Sequence, residues 1–224
     1  MKKLLLSVVV FGLFAAAPME AQLTKDQQKQ RKEQVSQQRK ALNAKASKDA
    51  RKDAKKFKKE GWQTTPGTLT LEKQLDRSMM MQMEVDETGY PLYVMGEAMS
   101  IGENYDAAKM QALELAKQNL AGQIQTEIAT LVESSVANKQ LSDEQAASVT
   151  ESVLASKNLI SQSLGRVIPV VEVYRVLSNK NKEVFVRIAY NHNMAIEAAK
   201  KVVRKDLENK GDKLHDQLDQ VLGW

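Results

Sequence analysis

The most constraining feature of the chain is a long run of apolar residues spaced three and four positions apart, from Asn104 to about Ala137. Because an α-helix has 3.6 residues per turn and rises 1.5 Å per residue, this spacing predicts one helix about 50 Å long. Asn104 is the expected N-cap, and Asp106 suits the positive end of the helix dipole. The row expected to face the core consists of Met110, Leu113, Ala116, Leu120, Ile124, Ile128 and Leu131.

A helix of this length needs a surface to cover, and three strand-like segments can supply it. One is LYVMGEAMS (92–100), in which Gly96 predicts a bulge or the close approach of another element. Two β-branched segments flank the polar loop SNKNK and predict a β-hairpin within residues 166–191. In its second strand, alternate residues from Val184 to Tyr190 are expected to face the core, while the other face is mostly wet.

Three other stretches have helical spacing. Residues 69–85 carry Leu71, Leu75, Met79 and Met83 at steps of four. Residues 141–165 begin with Ser142 and Gln145 in capping-box spacing, and residues 193–209 bury a row of Ala and Val.

The predicted fold class is therefore α+β: a small antiparallel sheet of about three strands packed by long helices and preceded by a basic helical arm. The apolar rows are expected to be used up in building a compact body without chemistry of its own. The expected boundaries are a signal peptide (1–21), a basic helical or partly disordered arm (22–61), an α+β domain (62–210) and a short C-terminal amphipathic helix (211–224).

The N-terminal segment predicts export. Lys2 and Lys3 precede a mainly apolar region of fourteen residues, Leu4 to Ala17, which is typical of a secretory signal peptide. Cleavage is expected after Ala21, and an uncleaved anchor is the alternative. The chain has no cysteine, which excludes disulfides, thiolate metal sites and the lipidated Cys of a bacterial lipoprotein. The expected location is the periplasm or the outer-membrane surface.

The net charge of +5 is unevenly distributed. Residues 24–60 hold fourteen Lys and Arg against five Asp and Glu, a net +9, whereas residues 61–224 carry −5. A thin row of Leu42, Ala46, Ala50, Ala54 and Phe57 predicts a helix that docks lightly. The candidate anionic-surface residues are Lys45, Lys48, Arg51, Lys52, Lys55, Lys56, Lys58 and Lys59. The alternative is a solvated helix or disordered tether with no binding role.

Candidate chemistry elsewhere is sparse, and no cofactor or metal is predicted. Met79, Met80, Met81 and Met83 resemble a thioether site for Cu(I), but core packing explains them better. The two histidines, His192 and His215, lack the ligand spacing of a zinc site, and His192 is expected at a strand-to-helix turn. Glycine-rich phosphate motifs and nucleophile elbows are absent from the sequence. The strand charges Glu172, Arg175, Glu183 and Arg187 are expected at the solvent face or an edge.

Three segments together resemble the LPP-twenty-like and FlgT N-terminal-like group of bacterial envelope proteins. They are YVMGEAMS, AAKMQALELAKQNLAGQI and VVEVYRVLSNKNKEVFVRIAY, within about residues 93–191. The shared pattern is a strand with Gly-x-Ala (Gly96 and Ala98), an Ala-dense helix, and a late hairpin. The resemblance implies a small α+β fold in the cell envelope with no catalytic residues to carry over.

The expected function is that of an exported, non-enzymatic envelope protein acting as a structural or protein-interaction module. The alternative is a periplasmic protein that binds anionic lipid or cell-wall polymer through its Lys-rich arm. An envelope protein is the expected partner, and export argues against nucleic acid. An enzyme using His192 or His215 is the third possibility, disfavoured because no catalytic constellation is visible.

Overall fold

The computed structural model describes residues 44–137 and 142–209, together with the scattered positions 28–30, 32, 33, 36 and 40. Met1–Lys45 and Ala46–Trp224 are separate compact units. The second unit contains six helices and three strands within its described residues. The helices are α1 (Lys48–Lys59), α2 (Leu71–Met83), α3 (Tyr105–Ala137), α4 (Asp143–Ala155), α5 (Lys157–Ser163) and α6 (His192–Asn209); the strands are β1 (Tyr93–Gly102), β2 (Ile168–Val176) and β3 (Lys182–Asn191).

The three strands form one antiparallel sheet in the order β1-β3-β2. The predicted hairpin pairs β2 with β3, and β1 pairs with β3 along its whole length, from Tyr93 opposite Asn191 to Gly102 opposite Lys182. This confirms the α+β prediction with its small antiparallel sheet. β3 is central and β1 and β2 are the edges.

Polar groups cover both sheet edges. The side-chain amides of Asn119 and Gln123 on α3 donate to the backbone carbonyls of Glu97 and Met95, at 2.8 Å each. At the other edge, Gln63 exchanges two backbone hydrogen bonds of 2.9 Å with Tyr174. Exposed strand edges invite pairing with other chains, and these contacts occupy part of each edge.

Helix α3 lies directly on one face of the sheet because Gly96 has no side chain. A Cβ atom built at Gly96 would lie 2.3 Å from the Ala116 carbonyl oxygen and 2.8 Å from the Leu120 Cβ. The buried row of α3 begins with the small residues Ala108, Ala112 and Ala116, which permit this distance. The predicted close approach at Gly96 is therefore confirmed, as are the helix bounds and the Asn104 cap, whose side chain accepts from the Ala107 N–H at 2.9 Å.

The other face of the sheet is covered by α1 and α2. Val171, Val173 and Phe185 pack there against Ala50 and Ala54 of α1 and against the aromatic and aliphatic residues Trp62, Leu71 and Leu75. Phe185 alternates with Val184 and Val186, which face α3. The expectation that β3 has one wet face is therefore wrong, because β3 is the central strand of a sheet covered on both sides.

Helices α4, α5 and α6 complete the core beyond α3. The Ser142–Gln145 capping box is present at the start of α4. The predicted helix over 141–165 is broken at Ser156, whose hydroxyl donates to the Ser152 carbonyl. Helix α6 buries Ala195, Ala199 and Val203 as predicted, whereas Val202 of the same predicted row is half-buried.

Three residues predicted on inner helix faces are exposed: Met83 (73%), Met110 (73%) and Leu131 (40%). A row with steps of four drifts by about 40° per step, because four residues turn a helix by about 400°. Met83, three steps from Leu71, has therefore rotated away from the sheet, and Met81 is buried instead. On α3, Met110 and Leu131 stand three positions from the adjacent member of the predicted row, a rotation of about 60° in the opposite direction. The row that is buried there keeps steps of four, from Ala108 to Val132.

The signal peptide (1–21) and the C-terminal amphipathic segment (211–224) lie outside the described residues. The compact unit begins at Ala46, inside the range predicted for the basic arm. Among the described residues, no helix combines the length and the apolar character needed to cross a membrane.

Candidate functional site: a cationic helix face and a polar cleft

Helix α1 has two faces with opposite properties. Ala50 and Ala54 are fully buried against the sheet, and Phe57 packs with Trp62 and Phe185 at ring-centroid distances of 6.1 and 6.0 Å. At 100° per residue, the opposite face carries four lysines within a sector of about 60°. This cationic face consists of Lys48, Lys52, Lys55 and Lys59, all exposed.

The four lysines of the cationic face form no ion pair within the described part of the chain. The acids of the helix, Asp49 and Asp53, lie to one side of the row, where Asp53 pairs with Lys56 at 2.9 Å. The face therefore presents only positive charge, on a helix fixed to the sheet by its other side.

Polar contacts also fix α1. The Ser47 hydroxyl caps the helix by accepting from the Ala50 N–H, and the Ser47 N–H donates to Asp76 of α2 at 2.9 Å. Partial burial raises the pKa of Asp76, but hydrogen bonds from Ser47 outweigh it and hold that pKa below its ordinary value. The Lys58 ammonium, 2.6 Å from Glu72, likewise lowers the pKa of that carboxyl. Helices α1 and α2 are thus joined at both ends of their contact.

The structure separates the eight predicted anionic-surface residues into three groups. The four lysines of the cationic face share one surface. Lys56 and Lys58 are in ion pairs, and the half-buried Arg51 donates to the Ser47 carbonyl at 3.3 Å. Lys45 is exposed but belongs to the unit that ends there.

A second site, a polar cleft of about 790 Å³, lies where the end of α2, the turn after it, β1, α3, β3 and the start of α6 meet. Its side chains come from positions distant in sequence. The lining residues are Gln82, Tyr90, Pro91, Tyr93, Val94, Met95, Glu97, Gln123, Glu127, Arg187 and His192. The body was expected to have no chemistry of its own; on this side the structure brings several ionisable groups together, in two pairs.

Glu127 and His192 form the polar centre of the cleft. Nε2 of His192 lies 2.8 and 2.9 Å from the two carboxylate oxygens of Glu127. His192 opens α6 at the end of β3, as predicted, and its side chain is 10% exposed against 30% for Glu127. The Tyr90 ring centroid lies 5.2 Å from the imidazole.

The position of Tyr90 is set by a tight turn. One carboxylate oxygen of Asp86 accepts from the N–H and hydroxyl of Thr88 and from the Tyr90 N–H, at 2.6–3.0 Å. These bonds, the Thr88 hydroxyl first, lower the pKa of Asp86. Gly89 has a φ of 83°, which favours glycine. The turn holds Tyr90 at the mouth of the cleft with 53% of its surface exposed.

Arg187 and Glu97 form the second charged pair of the cleft. Nε and Nη2 of Arg187 lie 2.7 and 2.6 Å from one oxygen of Glu97. Nη1 donates to the Ser78 hydroxyl of α2 at 3.0 Å. All three guanidinium nitrogens of Arg187 are thus engaged within the protein.

Two strand charges expected at the solvent surface are largely covered. The side chain of Glu172 is 16% exposed and accepts from Lys109 at 2.8 Å and from the Tyr105 hydroxyl. The side chain of Glu183 is 13% exposed and pairs with Arg175 at 2.5 Å. Burial, the hydrogen bond and the charge of Glu172 together raise the pKa of Tyr105 far above its ordinary value. The partners of Glu172 lie on α3 and the partner of Glu183 lies on the neighbouring strand β2, so both charges are held in contacts between elements of the fold.

The methionine segment at the end of α2 does not converge on one point. Met81 is buried at 7% exposure, whereas Met80 and Met83 are 53% and 73% exposed. Within the described ranges, no group of three His, Cys, Asp or Glu side chains is arranged to hold a metal ion.

No family model matches the chain, and neither a curated protein nor a solved structure does. The resemblance to the LPP-twenty-like and FlgT N-terminal-like group therefore stays a prediction.

Sequence reasoning found the lysines of α1 but missed the cleft. Glu127 and His192 are 65 positions apart, and each has ordinary neighbours in sequence. Two features of the sequence pointed weakly toward the cleft. His192 was predicted at the strand-to-helix turn, where it lies, and Glu127 is a charged residue on the polar side of the predicted long helix.

Proposed function

We propose that this protein is an exported, non-enzymatic component of the bacterial envelope that acts as a structural or protein-interaction module. The observation that carries this proposal is the cationic face of α1. The helix is fixed to the sheet by buried Ala50 and Ala54, so its outward lysines are held in a row by the fold. A rigid row of positive charges suits an extended partner of negative charge, because a helix that is already fixed loses little conformational entropy on binding.

Site-specific crosslinking in intact cells tests this role. A photoreactive residue replaces Lys52, at the centre of the cationic face, and in a control chain it replaces the exposed Glu114 on α3. The proposal predicts envelope-protein adducts at position 52 that the control position does not form. The same adducts at both positions would contradict the proposal. So would the absence of any adduct at position 52 together with a protein that runs as a lone monomer.

A second candidate function is binding to anionic lipid or cell-wall polymer through the same face. The observation that favours it is that no acidic or apolar residue of α1 falls within the sector of the helix occupied by Lys48, Lys52, Lys55 and Lys59. Such a helix lies against phosphate or carboxylate groups without inserting, since insertion requires large apolar residues. Each lysine near an anionic membrane contributes on the order of 1 kcal/mol.

Co-sedimentation separates this candidate from protein binding. The full chain is mixed with vesicles containing anionic lipid, with vesicles of zwitterionic lipid alone, and with purified cell-wall polymer. Binding to either anionic material should disappear near 0.5 M salt, where the screening length falls to a few ångströms. Binding that survives this salt, or that zwitterionic vesicles support equally, contradicts the electrostatic mechanism.

A further inference from the structure

Among the described residues that line the polar cleft, no permanently charged cation is left unengaged for an anionic ligand. Arg187 is the lining residue with a permanent positive charge, and its guanidinium is engaged by Glu97 and Ser78. The two Arg187 contacts to Glu97 are short, at 2.7 and 2.6 Å, and both converge on one carboxylate oxygen. Within this pair the charges cancel, so the net charge of the cleft is set by Glu127 and His192.

Glu127 supplies negative charge to the cleft. Nδ1 of His192 is buried without a hydrogen-bond partner among the described residues. This favours the tautomer with its proton on Nε2, because an Nδ1–H would be a buried donor lacking an acceptor. That single N–H is shared between both carboxylate oxygens, at 2.8 and 2.9 Å. A carboxylate has about four acceptor positions, so Glu127 keeps acceptor capacity toward the cleft.

Aromatic surface adjoins this carboxylate. The Tyr90 hydroxyl lies 3.5 Å from a Glu127 oxygen, and the half-exposed ring flanks the same space. Tyr93 also lines the cleft. The face of a tyrosine ring attracts an organic cation, and the attraction grows where water is partly excluded. Gln123 donates its amide N–H to Met95, which leaves its amide oxygen as a further acceptor.

We propose that the cleft binds a primary ammonium group, paired with Glu127 and packed against Tyr90, with the aliphatic stem of the ligand toward Pro91 and Met95. The unbalanced charge of the described lining residues is negative, so a cation that donates hydrogen bonds fits and an anion does not. A free alkylamine and the lysine side chain of a peptide share this chemistry.

Titration calorimetry on the full chain tests the proposal with n-butylammonium as the probe. The matched controls are 1-butanol, which has the same stem without charge, and butyrate, which reverses the charge. Nα-acetyl-lysine amide and 1,5-diaminopentane separate a peptide side chain from a free amine. A dissociation constant on the order of 1 mM is expected for so small a cation, with both controls at least tenfold weaker.

Two variants locate the binding. Glu127→Gln keeps the side-chain shape and should weaken butylammonium binding about tenfold, whereas Glu114→Gln on the exposed surface of α3 should leave it unchanged. Tyr90→Leu should weaken it severalfold while retaining the carboxylate. Thermal unfolding confirms that each variant is folded at the assay temperature. Butanol binding as tightly as butylammonium, unchanged binding by both cleft variants, or no binding at 50 mM would overturn the proposal.

Discussion

Replacing Gly96 by alanine should destabilise the protein strongly, because the added methyl group meets backbone rather than a movable side chain. The new Cβ would lie 2.3 Å from the Ala116 carbonyl oxygen and 2.8 Å from the Leu120 Cβ. To relieve the overlap, α3 has to move away from β1. Overpacking a filled core usually costs 1–3 kcal/mol, and contact with backbone on a long helix places this substitution at about 3 kcal/mol.

The measurement is urea unfolding followed by circular dichroism, with Gly122→Ala as the control. A Cβ at Gly122, which lies on α3, meets only the end of the Lys157 side chain, at 3.4 Å. That control should stabilise the helix by roughly 0.5–1 kcal/mol, since alanine is the better helix former. For a domain of this size, Gly96→Ala should lower the melting temperature by about 6–12 °C. A change below about 0.5 kcal/mol at Gly96 would refute the close packing of α3 on β1.

Three other substitutions and titrations follow from the same structure. Ala54→Glu should cost about 3 kcal/mol or more by burying a charge under α1, while Lys55→Glu next to it should stay within about 0.5 kcal/mol, both by urea unfolding. Asp76→Asn should cost about 0.5 kcal/mol at neutral pH; because the pKa of Asp76 is lowered in the folded state, this difference should vanish as the pH falls below the ordinary value of 3.8. The raised pKa of Tyr105 means that its stabilising effect is complete below the ordinary value of 10.0 and is lost above it. Ultraviolet titration of the folded protein should show a tyrosine phase well above that ordinary value, and Tyr105→Phe should remove that phase. An unchanged titration in Tyr105→Phe, or a pH-independent effect of Asp76→Asn, would contradict these assignments.

Local patterns in the sequence predicted the individual elements well. Features that depend only on neighbouring residues could be predicted without knowing the fold. They include the bounds of α3, the Asn104 cap, the Ser142 capping box and the β2–β3 hairpin. The close approach of α3 at Gly96 could be predicted too, because a glycine inside a strand pattern often marks a bulge or the close approach of another element.

What the sequence did not show depends on tertiary contact. The alternation in β3 predicted one solvent-exposed face. Nothing in the sequence around Phe185 and Ala189 shows that helices cover that face, although both residues are buried. The exposure of Met83 followed from the cumulative rotation of α2. The cleft was invisible because Glu127, His192 and Tyr90 come from three elements that only the folded sheet and helices bring together.

The outward lysines of the docked helix α1 are proposed as the binding surface for an anionic partner. The most direct test compares two full-length variants, each losing four positive charges, in binding to anionic vesicles and to the crosslinked envelope partner. One changes Lys48, Lys52, Lys55 and Lys59 to Gln; the other changes four exposed lysines elsewhere, Lys157, Lys180, Lys201 and Lys205. If the cationic face is the site, the first variant should lose at least tenfold in affinity and the second less than about twofold. Equal losses would show that net charge alone governs binding, and an unchanged first variant would show that this face of α1 is not the site.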